Sequence, residues 1–148
     1  MKLSTKARYA VMAMTDLVMK GGSSAPCALA AIAERQELPL AYLEQIFVKL
    51  RKHNLVISVR GAAGGYVLGR SAETITIYDI IAAVDQPLKA TRCKEKSPTG
   101  CQKKGARCMT HDLWEGLGFV VEQYLKNITL ASILENNRTI FFEGRQAC

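Results

Sequence analysis

The chain has 148 residues, 49% of them apolar and 22% charged, and a net charge of +7. That is enough apolar content for one buried core with a docked extension, and Gly and Pro are not in excess, which excludes a chain-long disordered or repetitive protein. No stretch approaches the roughly 18 consecutive apolar residues of a membrane helix, and Arg8 and Asp16 interrupt the only apolar run near the start, so the opening segment does not read as a signal peptide and the protein is expected in the cytoplasm.

In chain order, residues 5–20 carry Tyr9, Ala10, Met12, Ala13, Leu17 and Val18 at helical spacing, stopped by Gly21-Gly22-Ser23-Ser24. Residues 28–36 predict a second short helix with Leu29, Ile32 and Ala33 inward. Glu37-Leu38-Pro39 is a break, and a third helix runs from Pro39 or Leu40 to His53. Two β-prone runs, 55–59 and 66–68, flank the loop Arg60-Gly61-Ala62-Ala63-Gly64-Gly65, which predicts a hairpin. Ile75 to Val84 begins like a strand and turns helical near Tyr78. Residues 86–111 have no hydrophobic period and read as a loop. Residues 112–128 read as a long amphipathic helix, Thr129 suits the cap of a short helix over 130–136, and 137–148 is expected to be a flexible tail.

Helix, short turn, helix and then a hairpin is the element order of a winged helix-turn-helix. The expected fold is therefore mainly α with a small β-hairpin wing. Residues 1–85 would form the DNA-binding domain, with the helix-turn-helix over 28–53 and the wing over 55–69. In the second helix of that motif, Leu43, Ile46, Phe47 and Leu50 share one arc, Ala41, Gln45, Val48 and Lys52 lie opposite, and Tyr42, Glu44, Lys49 and Arg51 flank them. Gln45 suits paired hydrogen bonds to adenine, and Glu44 can accept from the amino group of cytosine. Lys49, Arg51 and Lys52 suit phosphates. Glu44 repels DNA unless a cytosine donor answers it, which makes it a specificity filter. Arg60 stands at the base of the wing loop, where arginine can enter a narrow minor groove, and Gly61, Gly64 and Gly65 let the backbone approach DNA. The bland alternative, a solvated amphipathic helix, weakens once the turn and the hairpin are added.

Positive charge is concentrated elsewhere. Residues 89–111 hold seven Lys or Arg against one acidic residue, and three of the five cysteines. Cys93, Cys101 and Cys108 are spaced C-x7-C-x6-C, and His111 follows Cys108 by three, so the four can converge. Three thiolates and an imidazole suit zinc or an iron–sulphur cluster. The absence of a tight CxxC favours a cluster, while a labile zinc site, a thiol–disulfide switch or three plain surface cysteines stay open. Cys27 reads as a small core or loop residue, Cys148 as incidental, and His53 as a helix cap.

On residues 112–128, Leu113, Leu117, Val120, Val121, Tyr124, Leu125 and Ile128 form an apolar stripe outside the winged core. A second copy of the chain is the simplest cover, and the resulting two-fold axis would match a palindromic operator on double-stranded DNA. An enzyme reading finds no support: there is no CxxC, nucleotide loop or acid–base pair. A scaffold that binds DNA only incidentally remains the other rival class.

Met1-Lys2-Leu3-Ser4-Thr5-Lys6-Ala7-Arg8-Tyr9-Ala10, Tyr42-Leu43-Glu44-Gln45, Leu50-Arg51-Lys52, Ser58-Val59-Arg60-Gly61, Gly64-Gly65-Tyr66, Ala90-Thr91-Arg92-Cys93 and Leu125-Lys126-Asn127-Ile128-Thr129-Leu130 together carry a resemblance. The chain resembles the Rrf-two family of bacterial winged-helix regulators, of the kind that controls iron–sulphur cluster assembly, over about residues 1–134. The resemblance implies a 2Fe–2S cluster on Cys93, Cys101, Cys108 and His111, with the cluster assembly machinery as donor. It implies a homodimer that represses cluster-assembly genes when it carries the cluster, and a cluster-free form that binds another operator class. Glu44 looks like the residue that discriminates the two classes, and Tyr42, Gln45 and Arg60 like base or groove contacts. Two departures stand out: the cysteine spacings are longer than usual for the family, and Ala41 replaces a common hydroxyl residue. A thiol- or nitric-oxide-responsive repressor of the same family is the alternative, although Arg8 stands where the nitric-oxide sensors have an acidic ligand.

Overall fold

A computed structural model describes residues 3–21, 24–85 and 108–135. Its elements are α1 (Thr5–Met19), α2 (Leu29–Gln36), α3 (Leu40–Lys52), β1 (Val56–Val59), β2 (Gly65–Leu68), α4 (Ile77–Val84), α5 (His111–Asn127) and α6 (Leu130–Glu135). This is the mainly α architecture with a hairpin wing that the sequence predicts. The tail 137–148 and most of the cysteine loop, 86–107, lie outside the described residues.

The helix ends follow local chemistry. Ser4 caps α1 by accepting from the Ala7 N–H at 3.1 Å. The helices α2 and α3 stop in the same way. Glu37 and Asn54 adopt left-handed backbone (φ 53 and 56), and the N–H groups of Leu38 and Leu55 reach back to the carbonyls of Ala33 and Leu50 at 2.9 and 3.0 Å. Leu38 and Leu55 are both buried, which completes the hydrophobic contact of a Schellman closure. The first closure sets the turn between α2 and α3, and the second launches the wing. His53 is the C-cap of α3, with Nδ1 3.0 Å from the Lys49 carbonyl.

One core joins these elements. Ala10, Met14 and Leu17 of α1, Ile32 of α2, Leu43, Phe47 and Leu50 of α3 and Ile80 of α4 are fully buried. Phe47 also meets Tyr66 of the wing edge to face, with ring centroids 4.9 Å apart; truncating such a residue to Ala costs about 3–5 kcal/mol. Asp16 is the one buried charged group among the described residues. Arg35 Nε donates to both its carboxylate oxygens at 3.1 Å, and Gln36 Nε2 donates at 2.8 Å. Burial pushes the Asp16 carboxyl up, but the hydrogen bonds from Arg35 and Gln36 outweigh it, and the carboxyl sits below its ordinary value. This network fixes α2 on α1.

The wing strands pair antiparallel from Val56–Leu68 to Val59–Gly65. Cys27 extends the sheet by one bridge, exchanging two 2.9 Å hydrogen bonds with Tyr66. The strand-like start of the 75–84 segment has a physical reason. Leu130 N–H donates to the Ile75 carbonyl at 3.0 Å and Ile77 N–H to the Ile128 carbonyl at 2.9 Å, so the segment makes a single bridge and then enters α4 through a Thr76–Asp79 capping box. Thr129 caps α6, accepting from the Ser132 N–H at 3.1 Å. Leu130 is fully buried among the winged-helix residues, so α6 packs into the N-terminal core.

Candidate nucleic-acid interface and metal centre

On α3 the amphipathic division is complete. Leu43, Ile46, Phe47 and Leu50 are buried, while Ala41, Glu44, Gln45, Val48, Arg51 and Lys52 are exposed. The last turn holds Lys49, Arg51 and Lys52, where cations also offset the helix dipole. Tyr42 is half-buried and packs edge-on against Tyr9, at 5.7 Å between centroids. This contact pins the start of α3 to α1 and leaves Tyr42 at the rim of the exposed face.

Lys49 also has a partner within the protein. Its Nζ donates to the backbone carbonyl of Val84 at 2.9 Å, so one of the ammonium's three N–H groups ties α3 to the end of α4 while the residue stays exposed. The sequence reading did not single out Lys6, yet Lys6 lines one shallow recess with Tyr42, Gln45, Lys49 and Val84. It is an exposed cation beside the reading face, and its only sequence signal was a charge in the first turn of α1.

In the wing, Arg60 is exposed at the end of β1. Gly61 has φ +121, a backbone conformation open to glycine, and nothing crowds its missing side chain. Gly64 and Gly65 answer to packing within the protein. A Cβ on Gly64 would stand 2.6 Å from the Val59 carbonyl oxygen, and one on Gly65 would overlap the Cys27 carbonyl. Their smallness therefore builds the wing and its seam with Cys27, a requirement separate from any approach of DNA.

Of the four expected cluster ligands, Cys93 and Cys101 lie outside the described residues. Cys108 and His111 are one turn apart in the chain: Cys108 precedes α5, its backbone carbonyl accepts from the His111 N–H at 3.1 Å, and both residues are half-buried. The sequence reading missed two carboxylates here. Asp112 and Glu115 place ligand atoms within 4.8 Å of one another and of the His111 ring, and His111 Nε2 lies 3.8 Å from Glu115 Oε2. The i, i+4 spacing of His111 and Glu115 is the signal that would have found the second. A thiol and an imidazole joined by one turn, with a carboxylate able to orient the ring, fit the donor set of an iron–sulphur cluster. Cys27, the other described cysteine, is half-buried with Sγ 3.4 Å from Arg35 Nη2.

The long helix α5 buries none of its residues fully. Leu125 and Ile128 pack on the core, and Lys126 Nζ sits 4.7 Å from the centroid of the Tyr78 ring of α4. Leu113, Leu117, Val120 and Tyr124 face out, exposed by 63, 42, 63 and 40%. An apolar stripe of this size at i, i+4, i+7 and i+11 asks for a partner. Among the described residues, no helix is long and apolar enough to cross a membrane.

Residues 3–136 match the family model Rrf2, described as iron-dependent transcriptional regulator. The chain is 48% identical over 146 residues to the HTH-type transcriptional regulator IscR of Sodalis glossinidius, covering 99% of this chain and 86% of that protein. Among solved structures it is similar to IscR of T. potens, with a TM-score of 0.73 and 40% identity over 92% of this chain and 88% of that one. It is also similar to CymR, the global cysteine regulator of B. subtilis, with a TM-score of 0.75 and 34% identity over 91% of this chain and 97% of the other.

Proposed function

Because this chain belongs to the Rrf2 family of transcriptional regulators, we propose that it is an iron–sulphur cluster-sensing repressor of cluster-assembly genes, acting as a homodimer on double-stranded operator DNA. It is a DNA-binding regulator and not an enzyme, like the relatives it matches. The observation that carries the DNA reading is the division of α3, whose apolar ridge is wholly buried while Glu44, Gln45, Arg51 and Lys52 stand in solvent. Gln45 and Glu44 read base edges, Arg51 and Lys52 hold phosphates, Tyr42 and Arg60 contact the backbone or groove, and Gly61, Gly64 and Gly65 shape the wing. Lys49 serves these contacts from behind, by fixing α3 against α4.

Cys93, Cys101, Cys108 and His111 would hold a 2Fe–2S cluster, received from the cluster assembly machinery. Bound there, the cluster supplies a centre whose occupancy follows the supply of iron and sulphide. His111 would bind through one ring nitrogen while a neighbouring carboxylate sets the ring's orientation. The exposed stripe Leu113, Leu117, Val120 and Tyr124 pairs two chains and spaces two α3 helices for adjacent half-sites. The relatives favour this reading over a thiol- or nitric-oxide-responsive repressor, and a repressor acting on operator DNA would work in the bacterial cytoplasm.

Two assays on protein purified without oxygen test the proposal. Operator selection from a random DNA pool should return a palindrome, and iron and acid-labile sulphide should each be about two per chain, as for a 2Fe–2S centre. Zinc or no metal would remove the cluster from the account and leave the DNA-binding half in place.

A further inference from the structure

The outer face of α3 carries an apolar side chain that the core does not use. Val48 is 41% exposed in a helix whose other large apolar residues after Leu40 are buried or pinned. At about 100° per residue, Ala41 and Lys52 lie within about 10° of the direction opposite the buried ridge, and Val48 and Gln45 within about 30°. Val48 is thus as close to the outward pole as the amide expected to read a base. Helix propensity does not favour a β-branched residue at such a site, and water gives it no stabilising contact.

The polar neighbours of Val48 along this face suit DNA. Gln45 lies one turn before Val48 and Lys52 one turn after it, with Arg51 beside them. The one apolar feature on a base edge in the major groove is the C5 methyl of thymine. We propose that Val48 is a specificity-determining residue that packs on a thymine methyl next to the base held by Gln45, so that α3 selects an adenine and a neighbouring thymine together. The inference rests on the DNA-reading assignment of α3 and adds the base that this side chain selects. Ala41 lies nearer the pole and offers one methyl to such a contact, where Val48 offers two; the Val48→Ser arm of the test separates the two residues.

The test uses the full chain and a duplex selected from a random pool by the protein itself. Each thymine of one half-site is replaced in turn by uracil, which removes only the methyl. At one position wild-type affinity should fall about fourfold, the value of one buried methyl group. In Val48→Ser the same replacement should change nothing, while the variant keeps the wild-type melting temperature and wild-type binding to non-specific DNA. A flat uracil scan in the wild type, or a loss that persists in Val48→Ser, would overturn the assignment of Val48 and leave the DNA-reading role of α3 intact. Failure to select any sequence from the pool would overturn both together.

Discussion

Lys49 Nζ donates a 2.9 Å hydrogen bond to the carbonyl oxygen of Val84, tying the last turn of the reading helix to the last residue of α4. From Asp85 onward the chain leads to the cysteine segment. The bond therefore joins the DNA-facing helix to the root of the segment that carries three of the expected cluster ligands.

Lys49→Met keeps most of the stem and removes the donor. Stability should fall by about 1 kcal/mol, read by urea denaturation. The slope of log K against log salt for operator binding should not change, because Arg51 and Lys52 are the cations assigned to the phosphates. A slope shallower by about 0.9 per chain, with unchanged stability, would return Lys49 to the phosphate contacts.

Asp16→Asn removes the charge that receives Arg35 and Gln36. Unfolding free energy at pH 7 should drop by about 1–3 kcal/mol, moderated because Arg35 can turn to water. The Asp16 carboxyl is held below its unfolded value near 3.8, so its stabilising contribution is complete above that value. It is lost as pH falls through the lower folded value. The gap between wild type and variant should accordingly shrink below about pH 4. A gap of equal size at pH 7 and pH 3 would sink this linkage.

Gly65→Ala should disturb the wing. The added Cβ overlaps the Cys27 carbonyl, which is backbone and can move only by opening the Cys27–Tyr66 bridge. A loss of about 1–3 kcal/mol is expected, with faster hydrogen exchange at the Cys27 and Tyr66 amides. Unchanged exchange at both amides would contradict the packing role given to this glycine.

Leu117→Glu places a charge in the exposed stripe of α5 without touching the core. Sedimentation should show monomer where the wild type is dimer, and the far-ultraviolet circular dichroism should be unchanged. Operator affinity should drop by orders of magnitude as the second half-site is lost. A variant that stays dimeric would move the interface off this face.

Much of this was legible in the sequence because it depends on local period. The ridge Leu43, Ile46, Phe47 and Leu50 repeats at helical spacing and is buried in full. The turn after α2 and the hairpin announce themselves through breaks and glycines. What was not legible depends on partners far along the chain. Lys49 looked like any cation on a polar face, since Val84 is 35 residues away. Asp16 showed in the sequence only as a charge breaking an apolar run, because its partner Arg35 is 19 residues on. Gly65 suggested room for DNA, while the group that needs its smallness is the Cys27 carbonyl from the segment before α2. The strand signal at Ile75 was real but served a single bridge to the residues around Thr129. Glu115 beside His111 is readable in the sequence from its i, i+4 spacing.

The central claim is that the exposed face of α3 reads a specific DNA sequence. The most direct measurement is the ratio of dissociation constants for a pool-selected duplex and for its scrambled counterpart, by fluorescence anisotropy at physiological salt. The account predicts binding to the selected duplex at least about a thousandfold tighter. Equal affinity for the two duplexes would contradict it.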